Sequence, residues 1–234
     1  MSVLICGTGA IAKALFRRLE GKKSVVVAGR SAEKLGDLQP ANFLKVDFSK
    51  PDSVHEALSG QLPSDLRGVA YCVGSAVMKP LRSAKLADLT EAFNLNALGA
   101  VETVRAALPE LKKNQMSSVV LFSSVAVQHG FPNHLIIGAS KGAVEGITRS
   151  LAADLAPTVR VNAIAPSLTS GAAITAPLTD NAKMAEAIAK SHPLGRLGTP
   201  EDSAAMADLL LSDDASWITG QVFGVDGGRS SVIR

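Results

Sequence analysis

Ser2-Val3-Leu4-Ile5-Cys6-Gly7-Thr8-Gly9-Ala10-Ile11-Ala12 carries an apolar run through a glycine-spaced turn and into a helical pattern. Four consecutive apolar residues follow Ser2, as a strand covered on both faces requires. Ile11, Ala14, Leu15 and Leu19 then recur at helical spacing, so the turn joins a strand to a helix. Its G-x-G-x-x-A spacing stands where dinucleotide binding needs it. Gly7 makes the tight turn, Gly9 lets a pyrophosphate approach the backbone, and Ala12 keeps helix and strand close. Gly7, Thr8, Gly9, Ile11 and Ala12 are the expected cradle for such a ligand.

The same alternation runs through the rest of the chain. Short apolar runs predict strands over Ser24–Ala28, Phe43–Val46, Gly68–Val73, Ser117–Phe122, Val159–Ala163 and Gln221–Val225. Helical periods lie over Ala10–Leu19, Ala32–Leu38, Ser53–Leu58, Leu86–Leu111, Ala139–Leu155, Ala182–Ser191 and Glu201–Leu211. The pattern predicts an α/β protein: a single Rossmann-type, doubly wound parallel sheet of about seven strands with helices on both faces. Pro166–Pro177 reads as a mobile loop rather than an interdomain linker, so residues 1–234 are expected to form one domain that includes the substrate pocket.

Composition removes several alternatives. The net charge is only +3 and the basic residues are scattered, which argues against nucleic acid. Hydrophobic residues make 47% of the chain and charged ones 19%, a balance that excludes disorder. Cys6 and Cys72 are the only cysteines, both in apolar runs, so neither a disulfide framework nor a metal site is expected. No run is long enough to span a bilayer, and Met1 to Cys6 lack the layout of a secretory signal. The expectation is a cytoplasmic protein without a membrane partner.

The second strand ends Val27-Ala28-Gly29-Arg30-Ser31. A site built for NAD places a carboxylate here to accept from the ribose hydroxyls. Arg30 and Ser31 offer a guanidinium and a hydroxyl instead, which suit a 2′-phosphate and favour NADP(H) over NAD(H).

Longer stretches carry a family resemblance. Ser140-Lys141-Gly142-Ala143-Val144-Glu145-Gly146-Ile147-Thr148-Arg149-Ser150-Leu151, then Val159-Arg160-Val161-Asn162-Ala163-Ile164-Ala165-Pro166, then Trp217-Ile218-Thr219-Gly220-Gln221-Val222-Phe223 with Val225-Asp226-Gly227-Gly228, follow one another in the order of the short-chain dehydrogenase/reductase family, which this chain resembles over most of its length. The resemblance implies a nicotinamide cofactor, a small-molecule substrate and assembly into a homodimer or homotetramer. It places Asp47 and Phe48 near the adenine, and Val73, Gly74 and Thr169 among the cofactor contacts. Small residues Ala139, Gly142, Ala143 and Gly146 would allow helices of neighbouring subunits to pack closely.

The family's catalytic set is Asn, Ser, Tyr and Lys. Ser124 and Lys141 keep its spacing and Asn96 resembles its helix asparagine, but Ile137 stands where the tyrosine belongs. The single tyrosine, Tyr71, falls in an apolar run and is expected in the core. The chain also departs from the family pattern in its shortened glycine loop, in Tyr71-Cys72-Val73-Gly74 after the fourth strand, and in Pro166-Ser167 where Pro-Gly is usual. Together these mark a divergent member.

Loss of the phenol leaves three readings. Carbonyl reduction creates an alkoxide that needs a proton, and His134 at spacing i, i+3, i+7 with Ile137 and Lys141 is the candidate donor, ahead of His129. A helix-capping role for His134 fits the same position. His55 and His192 read as surface positions. An iminium substrate would need no strong acid, because hydride arrives beside positive charge. A cofactor-binding pseudoenzyme, or an isomerase- or cyclase-like scaffold, would use the fold without redox chemistry.

Overall fold

The computed structural model describes residues 1–172 and 175–233. Seven parallel strands form one sheet in the order β3-β2-β1-β4-β5-β6-β7. They are β1 Ser2–Cys6, β2 Ser24–Gly29, β3 Asn42–Lys45, β4 Leu66–Tyr71, β5 Ser117–Phe122, β6 Val159–Pro166 and β7 Val222–Val225. The helices are α1 Ala10–Leu19, α2 Pro51–Leu58, α3 Leu86–Phe93, α4 Gly99–Lys113, α5 Leu135–Leu155, α6 Ala176–Thr179, α7 Ala182–Lys190 and α8 Pro200–Leu210.

Strand alternation explains why both faces are covered. Leu4 and Cys6 of β1 join one core with Val54 of α2, Val104 of α4 and Val144 of α5. Val3 and Ile5 join the other with Leu15 of α1 and Ala207 of α8. Successive side chains point to opposite faces, so a strand between two helix layers must be apolar throughout. The sheet order reverses direction between β1 and β4, and ligands of such sheets bind outside the carboxyl ends of the strands at that switch.

Three expectations are corrected. Ala32–Leu38 is not a helix: a single 3₁₀ turn covers Ala32–Leu35 and ends at Gly36, whose φ of 71° breaks it. Leu86–Leu111 is helical throughout but not one regular α-helix, because Asn94–Leu98 winds as a π-turn between α3 and α4. The predicted fourth strand stops at Tyr71, although Cys72 N still donates to the Cys6 carbonyl at 2.9 Å, and Val73 and Gly74 lie beyond it. Within the Pro166–Pro177 loop, residues 173 and 174 lie outside the described residues. Thr175 Oγ1 donates to the Thr169 carbonyl at 2.6 Å, tying the loop's two halves together.

Candidate active site

The β1–α1 turn is shaped to receive an anion. Gly7 has φ of +106°, and a Cβ there would stand 3.3 Å from Val73 Cγ2. At Gly9 a Cβ would meet nothing within 4 Å, so the space over the turn is open. Gly9 is also the N-cap of α1, with no capping side chain and no acid in the first turn. Uncapped amides at a helix start are an anion site, so the turn fits a pyrophosphate. Thr8 packs close beneath Gly29, where a Cβ would come within 3.0 Å of Thr8 Cγ2. Ala12 is buried and Ile11 half-buried at the same helix start.

Arg30 is exposed directly after β2. Asp47 lies two residues beyond the end of β3, which pairs Gly29 with Lys45, so both side chains leave the same edge. Asp47 accepts from Ser49 N at 3.1 Å and Ser49 Oγ at 2.7 Å; these bonds, with Arg30 nearby, hold its carboxyl below the usual range. Ser31 donates to Glu33 at 3.2 Å and would have to exchange that bond to meet a phosphate. The Phe48 ring is 3% exposed and packs edge-on against Tyr71, which makes it a core residue.

Lys141 lies in the third helical position after Gly138 on α5, and its ammonium reaches the ends of β4 and β5. Its Nζ donates to the Phe122 carbonyl at 2.7 Å, the one acceptor it finds among the described residues. Gly74 permits this: a Cβ there would stand 3.0 Å from Lys141 Nζ and 3.1 Å from Asn96 Oδ1. Asn96 is buried within the π-turn, accepts from Ser75 N at 2.9 Å and donates to Ser140 Oγ at 3.0 Å. Gly74, Asn96 and Lys141 are therefore one cluster at the ends of β4 and β5. Two donor directions of the ammonium remain for ligand oxygens such as ribose hydroxyls.

Burial pushes Lys141 down to about 8, and it raises the neighbouring Cys72 thiol to about 12. The unfolded value for lysine is about 10.4. Between these pH values the unfolded chain holds a proton that the folded chain has released, so the Lys141 penalty, full below pH 8, fades as pH rises. Relative to Lys141→Met, the wild type should gain stability by about 1 kcal/mol per pH unit from pH 8 to 10 in urea titrations. Parallel curves for the two proteins would contradict this.

Ser124 caps a 3₁₀ turn at the end of β5, accepting from Ala126 N at 3.2 Å, and its hydroxyl proton has no acceptor among the described residues. Ile137 is 8% exposed in the first turn of α5, one turn before Lys141. Tyr71 is core: its hydroxyl donates to the Leu95 carbonyl at 2.7 Å. His134 is the N-cap of α5, with Nδ1 held 2.7 Å from the Pro132 carbonyl. His129 Nε2 lies 2.7 Å from the Ser230 carbonyl. Thr169 is buried and donates to the Ser167 carbonyl at 3.1 Å. His192, expected at the surface, is 1% exposed and bonded through both ring nitrogens. Its partners lie 4 and 25 residues away, a contact no local pattern signals.

The family model described as Enoyl-(Acyl carrier protein) reductase matches residues 11–230. Dehydrogenase/reductase SDR family member 4 of Sus scrofa is 32% identical, over 99% of this chain and 87% of its own. 2-(S)-hydroxypropyl-CoM dehydrogenase 3 of Xanthobacter autotrophicus is 32% identical over 95% and 92%. Among solved structures, a short-chain type dehydrogenase/reductase from Mycobacterium ulcerans superimposes with a TM-score of 0.88 at 30% identity, covering 98% of this chain and 89% of that one. ElxO with NADP bound gives 0.89 at 26% identity, covering 99% of each. With this match the chain belongs to the short-chain dehydrogenase/reductase family, a family of oxidoreductases.

Proposed function

We propose that the protein is an NADP(H)-dependent oxidoreductase for a small or medium organic carbonyl, alcohol or imine. The observation that carries this is the Gly74–Asn96–Lys141 cluster beside the open glycine turn. When bound, the nicotinamide would supply or accept a hydride. Gly7, Gly9 and the α1 start would hold the pyrophosphate, Lys141 the ribose, and Ser124 would donate to the substrate oxygen. Asn96 would fix the loop that carries Gly74 and Ser75. The apolar wall at Ile137 also suits an iminium substrate, which needs no acid at that point.

Arg30 supports NADP(H). A charge-assisted bond contributes about 1.5–3 kcal/mol, so Arg30→Ala should weaken NADPH about tenfold or more and leave NADH nearly unchanged. Isothermal titration checks this, and equal losses for both would make Arg30 structural.

We also infer a homo-oligomer. Leu86 is 80% exposed, and Phe93 and Leu98 also reach solvent along α3 and the π-turn. A cleft of about 260 Å³ lined by Leu89, Phe93, Ala139 and Ser140 lies on the same side. Light scattering at micromolar concentration should return a dimer or tetramer; a monomer would contradict it.

A further inference from the structure

We propose that Ser167 and His192 form a proton relay, in which Ser167 exchanges a proton with the substrate oxygen and His192 stores it. The proposal rests on the oxidoreductase reading above and supplies the acid–base group that reading lacks.

The tautomer follows from the partners. His192 Nδ1 lies 2.8 Å from the Ile188 carbonyl, which can only accept, so Nδ1 carries the proton. In the neutral ring Nε2 then accepts from Ser167 Oγ, 2.8 Å away; in the charged ring the same contact reverses, with Nε2–H donating to Oγ. A serine hydroxyl bonded to an imidazole whose far nitrogen is oriented by a fixed acceptor is the arrangement that moves protons in acid–base catalysis.

The pair is rigidly held. His192 is almost fully buried, and the Asp226-Gly227-Gly228 turn closes over it: a Cβ on Gly227 would stand 3.6 Å from His192 Cβ. Asp226 accepts from Gly228 N and Ser230 N at 2.9 Å each, which fixes the turn that covers the ring. Arg229, on the same turn, is bound to Ser191 Oγ, next to the histidine.

Ser167 is also in the right place. It follows the last residue of β6, and β6 pairs with β5 as far as Phe122 opposite Ile164. Ser123 N continues the ladder to the Ile164 carbonyl at 2.7 Å. Ser124 and Ser167 therefore leave neighbouring strand ends, about 5 Å apart in backbone spacing. Both residues stand at the carboxyl edge of the sheet, where ligands of such sheets bind. Two other candidates are placed less well, since Tyr71 donates to Leu95 and Ile137 has no proton to give; His134, held through Nδ1 to the Pro132 carbonyl, is the rival that the test includes.

The step balances as follows. Hydride from a reduced nicotinamide dinucleotide forms the new C–H bond, and the C=O π pair becomes an alkoxide lone pair. That oxygen takes the Ser167 hydroxyl proton, while Oγ takes the Nε2 proton of a charged His192. The product is the alcohol and the neutral His192 tautomer that its two partners select; after product release, a solvent proton returns to Nε2 through the Ser167 hydroxyl. Oxidation of an alcohol runs the same transfers backwards.

The test uses the full chain with NADPH and three probes: 9,10-phenanthrenequinone, ethyl acetoacetate and a cyclic imine. His192→Gln keeps an acceptor for Ser167 but cannot carry a proton. His192→Gln and Ser167→Ala should each lower kcat for the carbonyl probes about 10²-fold, with KM and NADPH affinity unchanged. Ser167→Thr should recover most of the loss. Nitrogen NMR of the wild type at pH 8 should show His192 protonated at Nδ1 and bare at Nε2. Unchanged kcat in His192→Gln, a protonated Nε2, or a loss that falls on His134→Gln instead would overturn the relay alone. Failure of the wild type to bind NADPH or turn over any probe would remove the oxidoreductase reading, and the relay with it.

Discussion

A Lys141→Met variant should remain folded and lose 10²-fold or more of its reduction of carbonyl probes. Met fills the stem volume, so the fold keeps its packing, but the buried ammonium disappears. That ammonium is 2.7 Å from the Phe122 carbonyl, with its remaining N–H directions unclaimed by other described residues. It is the one cation buried at the carboxyl edge of β4 and β5 among the described residues. NADPH affinity should fall as well, because the ribose loses its donor. Steady-state kinetics and titration separate the two losses. Full activity in Lys141→Met would show that Lys141 only packs.

Gly99→Ala should destabilise the protein by about 3 kcal/mol or more, the sum of overpacking and a broken buried hydrogen bond. A Cβ on Gly99 would collide with the Tyr71 hydroxyl and stand 2.7 Å from the Phe48 carbonyl. Neither atom can step aside. Tyr71 is 2% exposed and bonded to Leu95, and Phe48 packs against it. Gly99 also closes the π-turn, donating its N–H to the Asn94 carbonyl, so the strain passes directly to Asn96. Adding Tyr71→Phe should recover part of the loss, since the hydroxyl is one of the two clashing atoms. Urea denaturation of the single and double variants measures both effects; additive losses would rule out the clash.

The fold was readable in the sequence because burial on both faces leaves an unmistakable mark. Val25-Val26-Val27-Ala28 and Val119-Val120-Leu121-Phe122 could only be interior strands, and both are. The misreadings occur where one residue overrides a periodic pattern. Gly36 ends the turn after β2 although Leu35 and Leu38 keep helical spacing. The π-turn at Asn94–Leu98 leaves no trace in hydrophobic period, yet it carries Asn96 into the site. Ser124, Lys141 and Asn96 were legible through the family resemblance, whose spacing they keep. The Ser167–His192 pair was not, because His192 precedes Pro193 in a polar stretch that reads as surface. The Asp226–Gly228 turn, folding back from the end of β7, packs against it, as Ser167 does from the end of β6.

The most direct test of the account is titration of the purified protein with NADPH and NADH, followed by absorbance at the reduced-nicotinamide band with carbonyl and imine probes. The expected result is NADPH binding at least tenfold tighter than NADH and hydride transfer to at least one probe class. Binding of neither dinucleotide would contradict the account.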